Sequence, residues 1–468
     1  MKLSLSKILI VMVLVAMTLS ACGPQATPVV ATAAPATAAV PVLLPTTTLP
    51  PVPTDTPAPP PLSGTITVLS NRTDLDQDGT LARYSTEFAA LNPGVTVKWE
   101  TMTDYAGELQ TRMNTTDYGD VLLIPPALTA DKFGDFLTPL GSAADLSKKY
   151  LFIPSEGTFN GTVYGIAVTG NGQGLVYNKD VFKAAGITEL PKTPADFQTD
   201  LGLIKTKTQA IPLYTNYHAG WPLTQWDSQI ESVSGDPNIR NVTIPHQDAP
   251  FAAGDPEYII YKVLYDAVKA DYTEKDPTTT DWEKSKTMLA NGEIGVMALG
   301  SWAISQMQGA AKTAGKDPAI IGYMPFPTNK DGKQYAGAGG DYKMAVNKNS
   351  PNQAAALAFV TWFVEKSNFA FDQGGIPPLV GAKLPSQYDD FAKAGVIWVT
   401  DAAAKAGEDG FYAAIDKQAE IGFANGSGAW QSTIVDAARG QINKSFDDIM
   451  NEANAKWAAA RKALGVTP

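Results

Sequence analysis

Thr65-Ile66-Thr67-Val68-Leu69 is a short β-branched run, followed at helical spacing by Leu81, Tyr84, Phe88 and Leu91 and then by the stop Asn92-Pro93-Gly94. Val95-Thr96-Val97-Lys98-Trp99 repeats the strand signal, and Tyr105, Leu109 and Met113 repeat the helical one. Val121-Leu122-Leu123-Ile124, behind Asp120, closes the series as an apolar strand. Strand and helix in this alternation predict a mostly parallel sheet covered by helices, the class of sheet that binds ligands at the carboxyl ends of its strands.

Farther along, Thr280-Asp281-Trp282-Glu283 has capping-box spacing, and the helix it opens should stop at Asn291-Gly292. Residues 293–299 read as a buried strand emptying into the loop Gly300-Ser301-Trp302. Beyond Pro351 the chain turns helical and alanine-rich, with Phe359, Trp362 and Phe363 on one apolar face. No fixed-period repeat is visible, which argues against solenoids and propellers.

With 468 residues, 44% hydrophobic and 18% charged, the chain can bury a large core and form more than one folding unit. Its formal charge of −11 argues against nucleic acid as a partner, because phosphate binding needs clustered basic surface. Lys2 and Lys7 precede an apolar run at residues 8–19 that is too short to span a bilayer. Leu19-Ser20-Ala21-Cys22 then sets small residues before the sole cysteine, which resembles a bacterial lipobox. The expectation is a signal peptide at 1–21 and an exported protein anchored through lipidated Cys22 on the outer face of the cytoplasmic membrane. A buried or disulfide-forming thiol is the alternative for Cys22, but the chain has no second cysteine to pair with it. Residues 22–62 read as a Pro/Ala/Thr-rich linker that cannot bury a core. As polyproline II, at about 3.1 Å per residue, such a linker would reach on the order of 100 Å.

Three groups of residues carry a family resemblance. The first is Tyr164-Gly165-Ile166-Ala167-Val168, then Gly174-Leu175-Val176-Tyr177-Asn178-Lys179-Asp180-Val181-Phe182, then Pro191-Lys192-Thr193-Pro194-Ala195-Asp196-Phe197. The second is the helix, Asn-Gly, strand and Gly-Ser-Trp order ending at Trp302. Gly339-Gly340-Asp341-Tyr342-Lys343-Met344-Ala345-Val346, followed by Ser350-Pro351-Asn352, is the third. In this order they resemble the family 1 extracellular solute-binding proteins, the group that includes maltose-binding protein, over nearly all of residues 63–468.

The resemblance implies an α/β, periplasmic-binding-protein-like fold of type II, with two lobes, a hinge and an interlobe cleft. Mapped onto this chain, an N-terminal lobe takes 63–174 plus 322–344 and a C-terminal lobe takes 175–321 plus 345–468. Crossings fall near 171–177, 321–327 and 343–348. It also implies a monomeric, non-catalytic receptor without a cofactor. Such a receptor closes on a small ligand, a mono- or oligosaccharide, and delivers it to the permease subunits of an ABC importer. Two other readings stay open: an anchored enzyme acting on polysaccharide through two carboxylates, which leave no sequence signature, and a ligand sensor for a signalling receptor.

Sugars present flat apolar faces edged by hydroxyls, so their sites combine aromatic platforms with short polar side chains. Of the nine tryptophans, Trp221, Trp226, Trp302 and Trp430 fall in loop-like sequence. Trp302, after Ser301, matches the family's Gly-x-Trp aromatic that stacks on ligand. Trp221, Trp226 and Trp430 read equally as platforms or packing, and Trp99, Trp362 and Trp457 read as packing. Asn71, Arg72 and Asp74 follow the first strand, where the family places ligand contacts; Arg72 either forks onto a hydroxyl or carboxylate or pairs with a nearby acid. Asn171 and Gln173 occupy the first crossing, where the maltose-binding pattern has an acid. Gly340 and Asp341 match the third crossing, and Tyr217 and His218 match cleft positions on the second lobe.

Asp74-Leu75-Asp76-Gln77-Asp78-Gly79 fits the first half of an EF-hand loop. Calcium on Asp74, Asp76 and Asp78 is therefore an alternative to helix capping, although position 12 is Ser85 and not the required Glu. Only two histidines are present, which argues against a His-based metal site. Gly170-x-Gly-x-Gly174 precedes a strand and opens no helix, so it reads as a flexible hinge and not a dinucleotide loop.

Overall fold

Gly64–Ser70 pairs in parallel with Val95–Thr101 along its whole length, and its other edge meets Val121–Leu123 in parallel, with Val68 opposite Val121. These are the three strands read from the sequence, and the helices Thr80–Leu91 and Tyr105–Arg112 return the chain between them. The computed structural model describes residues 61–467 except 126–127, 155–156 and 424–427. The expected signal peptide, Cys22 and the linker up to residue 60 lie outside the described residues.

Helix Thr80–Leu91 buries Leu81, Tyr84 and Phe88 as its spacing predicts, whereas Leu91 is 62% exposed because the final turn is left uncovered. Against Tyr84 and Phe88 packs the helix Gln353–Lys366, whose Phe359 and Phe363 rings lie 5.2 Å from Phe88 and Tyr84 respectively. Buried Asp120 ties these layers together: one carboxylate oxygen accepts from the Thr67 amide at 2.7 Å and the other from the Ser350 hydroxyl. Tyr335–Val346 extends the sheet, running antiparallel to Val121–Leu123 and to Gly165–Gly172, and its first residues pair in parallel with Ile397–Val399.

A second sheet sets Ile321–Met324, Leu175–Asn178, Ile294–Ala298 and Ile211–Leu213 side by side. Leu175–Asn178 is antiparallel to both of its neighbours, and Ile294–Ala298 is parallel to Ile211–Leu213. Its core holds Trp226, Phe251, Phe423, Trp430 and Trp457. Within it Arg240 is ion-paired to Asp227 at 3.0 Å and to Glu231 at 2.9 Å. Helix Trp282–Asn291 leads into Ile294–Ala298 through Gly292 in the left-handed region, as its Asn-Gly stop predicts. Its cap is Asp281, which accepts from the Lys284 amide; Thr280, one residue early for the role, accepts from the His218 amide instead.

The expected lobe boundaries shift. Ile321–Met324 belongs to the second sheet throughout. Met344, Ala345, Val346 and the buried face of Gln353–Lys366 join the first core, contrary to the expectation that residues 345–468 follow the second lobe. Residues 343–348 therefore form no crossing. The chain returns to the second core only between Phe369, in the first core, and Tyr412, in the second. The physical reason is length: Tyr335–Val346 has 12 residues, enough to start beside the helix Ile230–Ser234 of the second half and end deep in the first sheet.

Replacing Phe359 by Ala removes a ring that touches Phe88, Trp99, Trp362 and Phe363. Urea unfolding followed through the first-sheet half should show a loss of about 3–5 kcal/mol. Leu91→Ala should change stability by no more than about 0.5 kcal/mol.

Candidate ligand-binding site

At the carboxyl end of Gly64–Ser70 the chain turns into the short helix Thr73–Gln77 and presents Arg72 and Asp74. The Arg72 guanidinium forks onto Asp74, with Nε donating to one carboxylate oxygen at 2.8 Å and Nη2 to the other at 2.6 Å. Nη2 also donates to Gln373 Oε1 at 2.8 Å. The hydrogen bonds from Arg72 hold the Asp74 carboxyl below the usual carboxylate range. Of the two readings for Arg72, the ion pair is the one realised, and it is realised on the wall of a cleft.

The cleft has a volume of about 600 Å³, within the range of small-molecule sites. Thr169 and Asn171 of Gly165–Gly172 form its floor with Asp341 and Tyr342 of the neighbouring strand. Asn171 Nδ2 donates to Asp341 Oδ2 at 3.1 Å, and the Tyr342 amide donates to Asp341 Oδ1 at 2.8 Å. Tyr342 takes φ +49°, a left-handed backbone that strains a residue with a side chain and recurs where structures hold functional groups in place. Phe369 and Gln373-Gly374-Gly375 complete the first-sheet wall.

Opposite stands Trp302, the first residue of the helix Trp302–Thr313, with Ser305 and Gln306. Its indole belongs to a trio, with ring centroids 5.6 Å from Trp221 and 5.9 Å from Trp282, which are themselves 5.0 Å apart. The Lys286 ammonium lies 4.9 Å over the Trp282 ring. A Cβ at Gly300 would fall 2.5 Å from Trp302 Nε1, so only glycine lets the indole lie across this turn. The trio holds Trp302 in one orientation from two sides.

Five sequence candidates thus line the cleft, Arg72, Asp74, Asn171, Trp302 and Asp341, and Trp221 packs against Trp302. Ser301 is buried and works structurally: its hydroxyl accepts from the Gly172 amide at 3.0 Å while its own amide donates to the Gly172 carbonyl at 2.9 Å. Gly340 lies in the ladder opposite Gly170, and Gln173 donates its amide to the Gly337 carbonyl at 2.8 Å. Asn71 does not line the cleft, and its buried Oδ1 has no hydrogen-bond partner among the described residues. Trp226 and Trp430, 2% and 9% exposed, pack in the second core, so the platform reading fails for both. Tight 3-10 turns and the helix Ala429–Ala438 fold these loop-like stretches inward. Tyr217 spends its hydroxyl on Asp436 at 2.9 Å and His218 is exposed, and neither lines the cleft.

The calcium alternative is also overturned. Asp74 faces Arg72, Asp76 accepts from the Thr101 hydroxyl at 2.9 Å, and Asp78 accepts from the Thr80 amide at 2.9 Å, so the three carboxylates diverge. Gly170, Gly172 and Gly174 are sites of close packing. An added Cβ would lie 2.4 Å from Phe152, 2.7 Å from Trp398 and 2.5 Å from the Met324 carbonyl. Sequence reasoning missed Trp282, read only as the start of a capped helix, Tyr342, which stands in the third motif with no role of its own, and Phe369 and Gln373, which no local pattern marks.

Residues 72–368 match the family model described as bacterial extracellular solute-binding protein. The chain is 25% identical over 295 residues to a multiple sugar-binding protein of Streptococcus mutans, covering 61% of this chain and 68% of that protein. A solved structure of a manno-oligosaccharide specific solute binding protein from Bifidobacterium animalis subsp. lactis, in complex with mannotriose, is 41% identical with TM-score 0.74. That match covers 86% of this chain and 95% of the other. A binding protein of an ABC transporter from the same organism, in complex with mannobiose, is 42% identical with TM-score 0.73, at the same coverage of 86% and 95%.

Because the carboxylates of Asp74, Asp76 and Asp78 are spent on separate partners, saturating calcium should leave the melting temperature of this chain unchanged in a thermal-shift titration, whereas a calcium protein would gain stability by mass action.

Proposed function

The chain belongs to the bacterial extracellular solute-binding protein family, with an α/β, periplasmic-binding-protein-like fold of type II, and on that premise we propose that it captures a short mannose-built oligosaccharide and delivers it to an ABC import permease. The observation that carries the reading is the cleft itself, with an indole platform on one wall, Arg72 on the other, and Asn171 and Asp341 on the floor. An indole face matches the apolar face of a pyranose, and fixed donors and acceptors match its hydroxyls. The ligands named for the two Bifidobacterium proteins supply the mannose units and the short chain length.

The two walls belong to different halves of the molecule. A sugar touching both gains contacts only when they approach, so it favours the closed arrangement by differential affinity. The two residues Gln173 and Gly174 between the strands Gly165–Gly172 and Leu175–Asn178 form one of the links across which such closure turns. The permease then reads closure as occupancy. The family supports the receptor reading over the enzyme reading, since its members named above are binding proteins.

The family is extracellular, and among the described residues no helix is long and apolar enough to cross a membrane. Lipidation at Cys22, with residues 22–62 as a spacer, provides the anchor in this reading. A Cys22→Ser chain should move from the membrane to the soluble fraction on cell fractionation.

Isothermal titration of the full chain with mannobiose and mannotriose should give a Kd at or below about 10 μM. Trp302→Ala should weaken binding at least about tenfold, a loss of ~1.4 kcal/mol, with the circular dichroism spectrum preserved. A wild-type chain that binds neither sugar refutes the proposal.

A further inference from the structure

The charged groups of the cleft are arranged in an unequal way. Among the described residues that line it, one guanidinium, Arg72, stands against two carboxylates, Asp74 and Asp341. Arg72 is the feature that would recruit an acidic sugar, because a guanidinium fork fits a carboxylate bidentately. That fork is already filled: Nε and Nη2 are committed to Asp74, at 2.8 and 2.6 Å, and Nη2 also to Gln373. Nearby, Arg83 is paired with Asp372 at 3.1 Å and with Glu87 at 2.9 Å, so it supplies no spare positive charge. Asp341 has no cation on it in return; its hydrogen bonds come from the Asn171 amide group and the Tyr342 backbone. A carboxylate with only neutral donors accepts readily from sugar hydroxyls and repels a second carboxylate.

We propose that this cleft is a charge filter: Asp74 occupies the Arg72 fork and Asp341 adds uncompensated negative charge, so the site takes neutral oligosaccharides and rejects uronic-acid sugars of the same size and shape. The filter rests on the oligosaccharide reading above and adds the class of glycan excluded. An incoming uronate would lose its hydration, find no free fork, and lie beside Asp341. Asp74 is the positioning residue, acting through Arg72, and Asp341 faces the ligand directly.

The test compares mannobiose with its di-mannuronate counterpart, in which each hydroxymethyl group is replaced by carboxylate, on the full chain by isothermal titration at low and at moderate salt. The neutral disaccharide should bind at least about 100-fold more tightly, the scale of a charge desolvated without a partner. Asp74→Asn, which frees the fork, should narrow that ratio at least about tenfold, and the narrowing should shrink as salt screens the released guanidinium. Asp76→Asn, two residues away on the Thr101 hydroxyl and outside the cleft, should leave the ratio unchanged. Comparable binding of the two sugars by the wild type, or a ratio indifferent to Asp74→Asn, overturns the filter while leaving oligosaccharide capture standing. Binding of neither sugar overturns capture itself and the filter with it.

Discussion

The antiparallel ladder between Gly165–Gly172 and Tyr335–Val346 is the interaction on which the rest of the molecule depends. It pairs Gly172 with Ala338, Gly170 with Gly340 and Thr169 with Asp341, which places Asn171 and Asp341 side by side on the floor of the cleft. At one end both strands sit in the first sheet. At the other, Gly172 exchanges two hydrogen bonds with Ser301, and Gly337 takes one from its amide to the Ser232 hydroxyl, so the ladder also meets the second half. Backbone pairing of this length is stiff, and it explains why glycines are needed there: Phe152, Trp398 and Tyr388 press on positions where a Cβ would collide.

Around that ladder each half is built to hold one kind of chemistry still. The first half presents polar groups, and each is oriented by another: Asp74 by Arg72, Arg72 by Gln373, Asp341 by Asn171. The second half presents an aromatic face, and Trp302 is oriented by Trp221, Trp282 and the Gly300 turn. Preorganisation of this sort lowers the ordering entropy paid on binding, because long or rotatable side chains are fixed before the ligand arrives. Stability comes from elsewhere, from the aromatic packing of Phe88, Phe359 and Phe363 in one core and of Phe251, Phe423 and Trp457 in the other.

Burial divides the tryptophans more sharply than their local sequence does. Trp221, Trp226 and Trp430 all stand in stretches rich in Gly, Pro, Asn or Thr, yet Trp226 and Trp430 fill the second core while Trp221 backs the cleft. The fate of an indole in a loop is set by which way the following turn bends, and that is a tertiary outcome. Trp282 shows the converse, since a residue that opens a well-capped helix ends on the wall of the aromatic trio.

Periodicity and punctuation alone determined the first three parallel strands, the helices between them, the apolar face of Gln353–Lys366 and the strand leading to Trp302, because those signals are local and each element buries the face its pattern marks. The family resemblance, and not periodicity, brought Arg72, Asn171, Trp302 and Asp341 forward as candidates. Only the tertiary structure decided that Arg72 is spent on Asp74 and Gln373, that the acids at 74, 76 and 78 diverge, and that residues 345–366 belong to the first half. Each of those outcomes turns on partners far apart in the chain, Arg72 with Gln373 and Asp120 with Ser350 among them, and a local pattern holds no record of which distant side chain will arrive.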